Sequence, residues 1–187
     1  LSKLSEQYNL SGDNAKKLDL IANTILKAEL SKCHLIRTIG SEEEEHLCNT
    51  EFKEAPYLIC FDPLDGSSNI GVNITTGTIF GVYKYQKNKI KNGNDIVMAG
   101  YCLYGGCCQL VVAEKKLTMY QLTKESNNKE FFTKIAEDLK IPNKGPYYAI
   151  NESKKNRWID HRNKIISDEL IKEGYNARWV GSLVADA

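Results

Sequence analysis

Two carboxylates three residues apart, Asp62 and Asp65, stand in the stretch Phe61-Asp62-Pro63-Leu64-Asp65-Gly66-Ser67-Ser68-Asn69. Hard divalent cations take oxygen ligands and are commonly held by one or two carboxylates together with a substrate phosphate. The Gly66-Ser67-Ser68-Asn69 turn is flexible and dense in backbone and hydroxyl donors, and such a turn can wrap phosphate oxygens. Taken singly, Asp-Pro and Asp-Gly are ordinary turn dipeptides. What raises them above that is a second acidic group upstream, Ser41-Glu42-Glu43-Glu44-Glu45. A run of four glutamates is usually a solvated face or the first turn of a helix, where acidic side chains favour the macrodipole. This one follows an apolar run that reads as a strand, as Asp62 does. The two acidic groups can therefore converge at neighbouring strand ends, where open α/β sheets bind their ligands. The combination points to a metal-dependent phosphatase.

The elements that must position these groups follow from hydropathy patterning. Tyr57-Leu58-Ile59-Cys60-Phe61 reads as a buried strand that delivers Asp62 and is stopped by Pro63, which lacks an N–H. His34–Ile39 reads as a short strand closed by Gly40. Ser11-Gly12-Asp13 offers helix-capping chemistry, and Leu18, Ile21, Ile25 and Ala28 then form one apolar helical stripe. Asp19 lies about 100° from Leu18 at the border of that stripe. A carboxylate there is either solvated or turned into a cleft, and the solvated arrangement is the commoner.

Downstream, Thr78–Tyr85 is a strand rich in β-branched and aromatic residues, and residues 87–95 form a polar loop with solvating lysines. Three further strands, Ile96–Tyr104, Gln109–Ala113 and Leu117–Leu122, come without intervening helices and so should pair antiparallel. Glu130–Leu139 reads as a short amphipathic helix ended before Pro142. Asn143-Lys144-Gly145-Pro146 resembles a linker, after which a strand over Tyr147–Ile150, a helix over Arg157–Lys172 and a strand over Ala177–Gly181 start a second α/β unit.

Composition narrows the function classes. With 25 basic and 24 acidic residues the net charge is +1, so no general electrostatic case exists for nucleic acid or membrane binding. No apolar run approaches the ~18 residues of a membrane span. Cys33, Cys48, Cys60, Cys102, Cys107 and Cys108 contain no C-x-x-C pair, which argues against a cysteine-held zinc. Cys60 and Cys102 lie in strand-like runs and read as small buried hydrophobes in a protein with reduced thiols, a redox pair being the alternative. The first residues, Leu1-Ser2-Lys3-Leu4, and the last, Gly181–Ala187, read as the ends of a piece of a longer chain.

Longer motifs support a resemblance. Asp62–Asn69, Gly77–Tyr83 (GTIFGVY), Ala99–Gly105 (AGYCLYG), Asn151-Glu152 and Ala177–Asp186 (ARWVGSLVAD) resemble class I fructose-1,6-bisphosphatase, with Gly12-Asp13, Lys16–Asp19 and Gly40–Glu43 matching in order. The D-P-x-D-G core alone is shared by the wider lithium-sensitive phosphatases, including inositol monophosphatases, and the Ser-Ser-Asn extension with G-T-I-F-G narrows it.

The resemblance implies a layered α/β sugar-phosphatase fold of α-β-α-β-α type. Residues 1–145 would be the metal-binding domain without the family's first helices, and 146–187 the start of a truncated substrate domain. It implies Mg²⁺ as cofactor, with Mn²⁺ or Zn²⁺ as alternatives, two to three ions per complete site. Glu42, Asp62, the Leu64 carbonyl and Asp65 would be the ligands. Glu43 would stand beside them, Asp13 near a further metal or mobile loop, and Asp19 would help activate the attacking water. Asp65, Gly66, Ser67 and Ser68 would hold the 1-phosphate. Asn151 and Arg178 through Gly181, Ser182 and Leu183 would bind the sugar and its 6-phosphate, with Arg178 donated across a dimer or tetramer interface. The implied partner is a small sugar bisphosphate, with neither nucleic acid nor membrane, and the implied location is the cytoplasm. Sedoheptulose 1,7-bisphosphate, an inositol phosphate and a non-catalytic sugar-phosphate binder are the alternatives. Departures are Ser153-Lys154 in the distal pocket wall, Trp179 for the usual Tyr, and Pro56 where AMP-sensitive members carry a Lys. A last metal-binding Glu and a Tyr/Lys pair are expected beyond Ala187.

Overall fold

The computed structural model describes residues 4–8, 14–86, 92–158 and 168–187. Its centre is an eight-stranded sheet of mixed direction, backed by a helix, and the molecule is of layered α/β class. Short strands β1 (Leu4–Tyr8) and β2 (Asn14–Lys16) pair antiparallel and lead into α1 (Lys17–Leu30). The main sheet contains β3 (Ile36–Ser41), β4 (Cys48–Asn49), β5 (Tyr57–Asp65), β6 (Thr76–Lys84), β7 (Ile96–Tyr104), β8 (Cys108–Ala113), β9 (Leu117–Lys124) and β10 (Glu130–Glu137). Their order across the sheet is β10-β9-β8-β7-β6-β5-β3-β4, with β3 and β5 parallel and every other neighbour antiparallel. β11 (Tyr147–Tyr148) and β12 (Asn176–Ala177) form a separate parallel pair, and the described residues end with the short helix α2 (Leu183–Asp186).

The parallel pairing of β3 and β5 is what the site depends on. Gly40 lies opposite Cys60 and Ser41 opposite Phe61, so Glu42, just past the end of β3, comes beside Asp62 in β5. Between those strands and α1 lies the core, Ile36, Ile39, Ile59 and Phe61, packed against Leu26, Leu30, Phe80 and Val82. Burying this cluster fixes α1 on one face of the sheet.

Several expectations are corrected. Pro63 does not stop the strand: β5 runs through it to Asp65, because a bulge between the Asp62–Ile79 and Asp65–Gly77 pairs puts the proline where no ladder N–H is needed. In α1 the stripe Leu18, Ile21, Ile25 and Ala28 is not the buried one, since Ile21 is 40% and Ile25 57% exposed. The helix instead buries Asp19 and Asn23 and packs Leu26 and Leu30 on the core; this face is mixed polar and apolar, which hides it from a hydropathy pattern. Its first helical residue is Lys17, later than the capping chemistry of Ser11-Gly12-Asp13 suggested, and residues 11–13 lie outside the described residues.

Glu130–Leu139 is not a helix. Residues Glu130–Glu137 are edge strand β10, returned onto β9 by a turn in which Asn128 takes φ 64° and the Asn127 carboxamide oxygen accepts the Lys129 N–H. That Asn-Asn turn, followed by two phenylalanines and β-branched Thr133 and Ile135, favours a hairpin over a free-standing helix. The strand expected over Ala177–Gly181 is confined to Asn176–Ala177, and of the helix expected over Arg157–Lys172 residues 168–172 are helical while 159–167 lie outside the described residues. Residues 87–91 of the lysine loop also lie outside them.

Candidate active site

The acidic run lies in the loop between the antiparallel strands β3 and β4, not in a helix turn, and its members point to different tasks. The Glu42 N–H donates to the Phe61 carbonyl at 3.0 Å, tying the start of the loop to β5 just before Asp62. Glu44 is drawn the other way: Lys27 reaches its carboxylate at 2.6 and 2.7 Å and Asn23 donates to it at 3.0 Å. The lysine bond above all holds the Glu44 carboxyl below its ordinary range. This clamp fastens α1 to the loop and leaves Glu42 to the cluster.

The D-P-L-D stretch is built from within. Asp62 Oδ1 accepts the Leu64 N–H at 2.9 Å, and the Pro63 carbonyl accepts the Thr78 hydroxyl at 2.9 Å. Thr78 in turn pairs with the Tyr104 hydroxyl at 2.7 Å. Beyond Asp65, the segment expected to be flexible is ordered: Gly66 at φ 77° opens a short 3₁₀ helix over Ser67–Val72, and the buried Asn69 carboxamide donates to the Val180 carbonyl at 2.8 Å and the Thr75 carbonyl at 3.3 Å.

Electrostatics pick out a cluster. Glu42 and Asp62 are hydrogen-bonded to one another, and Asp62 is pushed up to about 7, first by desolvation, then by the Glu42 charge. Glu42 is also raised, by desolvation and then by the charges of Glu43, Asp19 and Asp65 against the opposing bond from Asp62. The three charges that raise Glu42 are all carboxylates. Asp19 is 4% exposed, so the solvated placement is overturned in favour of the cleft.

The donor set is all oxygen and anionic, which fits hard divalent cations. Among the described residues no three Asp, Glu, His or Cys groups already converge as a chelating set. Glu42 and Asp62 are instead hydrogen-bonded to one another, and burial of Asp62 favours its protonated form. A divalent ion would take the place of that proton.

The candidate substrate residues divide into two groups. Gly66, Ser67 and Ser68 follow Asp65 directly. Ser182 and Gly181 are joined to them: the Ser182 hydroxyl donates to Asp65 Oδ2 at 2.7 Å, and Gly66 is packed so tightly that an added Cβ would meet Ser182 Cβ at 2.5 Å. Leu183 begins α2 beside them and is 63% exposed. Asn151 and Arg178 sit instead after β11 and β12, at the same end of that parallel pair. The Arg178 N–H donates to the Tyr148 carbonyl at 2.9 Å and its guanidinium stacks on the Tyr147 ring at 3.7 Å. No described contact links Asn151 or Arg178 to the carboxylate cluster. Sequence reasoning missed Asn23 and Lys27, whose helical spacing from Asp19 marks one polar face, and it missed Thr78 behind Pro63. A cavity of about 750 Å³ opens from Glu42 and Asp62 across the apolar sheet face of Cys60, Ile79 and Tyr101. Cys60 and Cys102 are half-buried rather than fully buried, and Cys102 Sγ lies 3.6 Å from Cys108 Sγ, both thiols being free.

Comparison with known proteins agrees with this geometry. Residues 1–134 match the family model described as fructose-1-6-bisphosphatase, N-terminal domain. The chain is 37% identical to a class 1 fructose-1,6-bisphosphatase of Sulfurihydrogenibium sp., an alignment covering 98% of this chain and 58% of the relative. It is 36% identical to the cytosolic fructose-1,6-bisphosphatase of Arabidopsis thaliana, covering 98% of this chain and 57% of that protein. Among solved structures, the holo form of Leishmania major fructose-1,6-bisphosphatase superposes with a TM-score of 0.85 at 33% identity, covering 99% of this chain and 61% of that one. The chain thus spans less than two thirds of the length of the relatives it matches.

Proposed function

From its membership of the fructose-1,6-bisphosphatase family, which the match over residues 1–134 establishes, we propose that this chain forms the metal-binding half of an enzyme that hydrolyses the 1-phosphate of fructose 1,6-bisphosphate. The products would be fructose 6-phosphate and inorganic phosphate, a step of gluconeogenesis in the cytoplasm. In this proposal residues 1–145 are the metal-binding domain and 146–187 the beginning of the substrate domain. No described helix is long and apolar enough to cross a membrane.

The observation that carries the proposal is the Glu42–Asp62 pair, raised in concert beside Asp65 and Asp19. Perturbed carboxylates of this kind cluster at functional sites. Glu42, Asp62, Asp65 and the Leu64 carbonyl would hold Mg²⁺, with Mn²⁺ or Zn²⁺ as substitutes. Bound there, the ions would neutralise phosphate charge and make a nucleophile of water at neutral pH.

The chain's own residues supply the rest. Asp19, buried at the edge of the cluster, would accept the proton of the attacking water, with Glu43 beside it. Asp65, Gly66, Ser67 and Ser68 would orient the 1-phosphate so that the phosphorus–oxygen bond to C1 breaks as the new one forms. Asn151, Gly181, Ser182 and Leu183 would line the sugar side. Arg178 suits bidentate capture of the distal phosphate, shared between subunits of a dimer or tetramer. Its stacking on Tyr147 keeps the guanidinium plane oriented.

The test is turnover of the full-length protein with Mg²⁺ on a panel of fructose, sedoheptulose and inositol phosphates. Hydrolysis of fructose 1,6-bisphosphate that collapses in Asp62→Ala and Asp65→Ala is expected. Wild-type turnover in those variants would sink the assignment, and a preference for another panel member would move the substrate.

A further inference from the structure

Ser182 is 1% exposed, the position of a core residue rather than of a ligand open to solvent. Its hydroxyl donates to Asp65 Oδ2 at 2.7 Å, and the Val184 N–H donates to the same oxygen at 2.9 Å. These contacts reach across more than a hundred residues of sequence, from the start of α2 to the end of β5. They are reinforced on both sides. The Asn69 carboxamide donates to the Val180 carbonyl at 2.8 Å, and Asp186 Oδ1 accepts the Val180 N–H at 2.9 Å. Gly66 leaves no room for a side chain against Ser182, and an added Cβ at Gly77 would meet the Val184 side chain at 2.4 Å.

We propose that Ser182 is a positioning residue for Asp65: its hydroxyl, with the Val184 N–H, occupies Asp65 Oδ2 and presents Oδ1 alone to an incoming cation. This rests on the metal-dependent reading above, and it changes what the Ser182 side chain does within it. A hydroxyl whose proton is committed to Asp65 is not the group that grips the sugar phosphate. Two donors on one carboxylate oxygen fix the side-chain torsion before an ion arrives. Partners of this kind orient metal ligands and typically influence affinity by 10–100-fold. The same latch ties the Val180–Leu183 segment to the D-P-L-D turn, so the sugar side and the metal side share one carboxylate.

Calorimetric titration of the full-length protein with Mn²⁺, without substrate, tests this. Ser182→Ala should weaken Mn²⁺ binding by about tenfold, a loss read without substrate and so independent of any contact the segment makes with the sugar. In a double-variant cycle with Asp65→Asn, the combined variant should bind Mn²⁺ no more weakly than Asp65→Asn alone, because Ser182 acts only through that carboxylate. Unchanged Mn²⁺ affinity in Ser182→Ala overturns the proposal. So do strictly additive losses, which mark general loosening, and a raised KM at unchanged metal affinity, which makes Ser182 a substrate contact. A wild-type protein that binds Mn²⁺ but hydrolyses no sugar bisphosphate overturns the functional reading instead and leaves the Mn²⁺ arm intact.

Discussion

Asp62 within β5 and Glu42 just past the end of the parallel strand β3 are hydrogen-bonded to one another, with the Asp62 carboxyl pushed up to about 7 by burial first and the Glu42 charge next. The backbone forces the encounter: the Glu42 N–H is bonded to the carbonyl of Phe61, the residue before Asp62. Two carboxylates held this close cannot both ionise cheaply, and one keeps its proton. A cation bound there would take the place of that proton.

Replacing Asp62 by Asn should trade activity for stability. An Asp62 raised from 3.8 to about 7 binds its proton more tightly in the folded chain than in the unfolded one. Its stabilising contribution is complete at low pH and is lost as pH rises through that range. Asp62→Asn keeps a donor towards Glu42 without the titrating charge. The metal-free variant should therefore gain in Tm over wild type as pH is raised from about 5 to 8, while turnover with Mg²⁺ falls more than about a hundredfold. Thermal melts in chelator and a phosphatase assay check both arms; a Tm difference independent of pH would show that the pair shares no proton.

Lys27→Met should loosen the acidic hairpin. The Lys27–Glu44 pair is partly exposed, with side-chain accessibilities of 26% and 31%, so its loss should cost about 1–2 kcal/mol rather than the larger figure of a fully buried pair. Because Glu44 is depressed below 4.5, its contribution is present above that pH and fades as pH falls beneath it. Urea titrations of the two proteins should differ at pH 7 and draw together as pH falls below about 4.5. A difference that persists in acid would mean the lysine acts through packing alone.

The half-buried Cys102 thiol should resist alkylation. Cys102 is pushed up to about 12 by desolvation first, then by the bond and charge of Cys108, whereas Cys107 next to them is exposed. At pH 8 the thiolate fraction of such a group is on the order of 10⁻⁴. Iodoacetamide in native buffer should therefore label Cys107 well before Cys102, as peptide mass spectrometry would show. Equal rates would place the Cys102 thiol in a far more polar setting.

Legibility in the sequence followed how local each signal was. The strands Tyr57–Phe61, Thr78–Tyr85 and Ile96–Tyr104 are continuous apolar or β-branched runs; all three fold as strands, the last with the expected bounds and the first two with shifted ends. The meeting of Glu42 and Asp62 was also legible, because strand-end position needs only the order of elements. The buried face of α1 was not, since Asn23 and Lys27 are held by Glu44 of the hairpin and Asp19 is buried beside them, none of which hydropathy marks. Glu130–Glu137 satisfies a helical period and a strand equally, and only the Asn127-Asn128 turn and the waiting edge of β9 decide. Least legible was the grip of Ser182 on Asp65, which depends on a contact between distant parts of the chain.

Glycine substitutions measure how tightly that grip is packed. Gly66 has φ +77°, and an added Cβ would lie 2.5 Å from Ser182 Cβ and 3.2 Å from its Cα. Neither can yield easily, since Ser182 is held by Asp65 and followed at once by α2. Gly66→Ala combines backbone strain with overpacking, each costing about 1–3 kcal/mol. For a chain of this size the sum corresponds to a Tm loss of roughly 5–15 °C. Gly71, in the same 3₁₀ segment, has open space around an added Cβ, so Gly71→Ala should stay within about 1 kcal/mol of wild type. Differential scanning calorimetry of the two variants separates the cases. A Gly66→Ala protein that melts like Gly71→Ala would mean that the 181–184 segment is not seated against the turn.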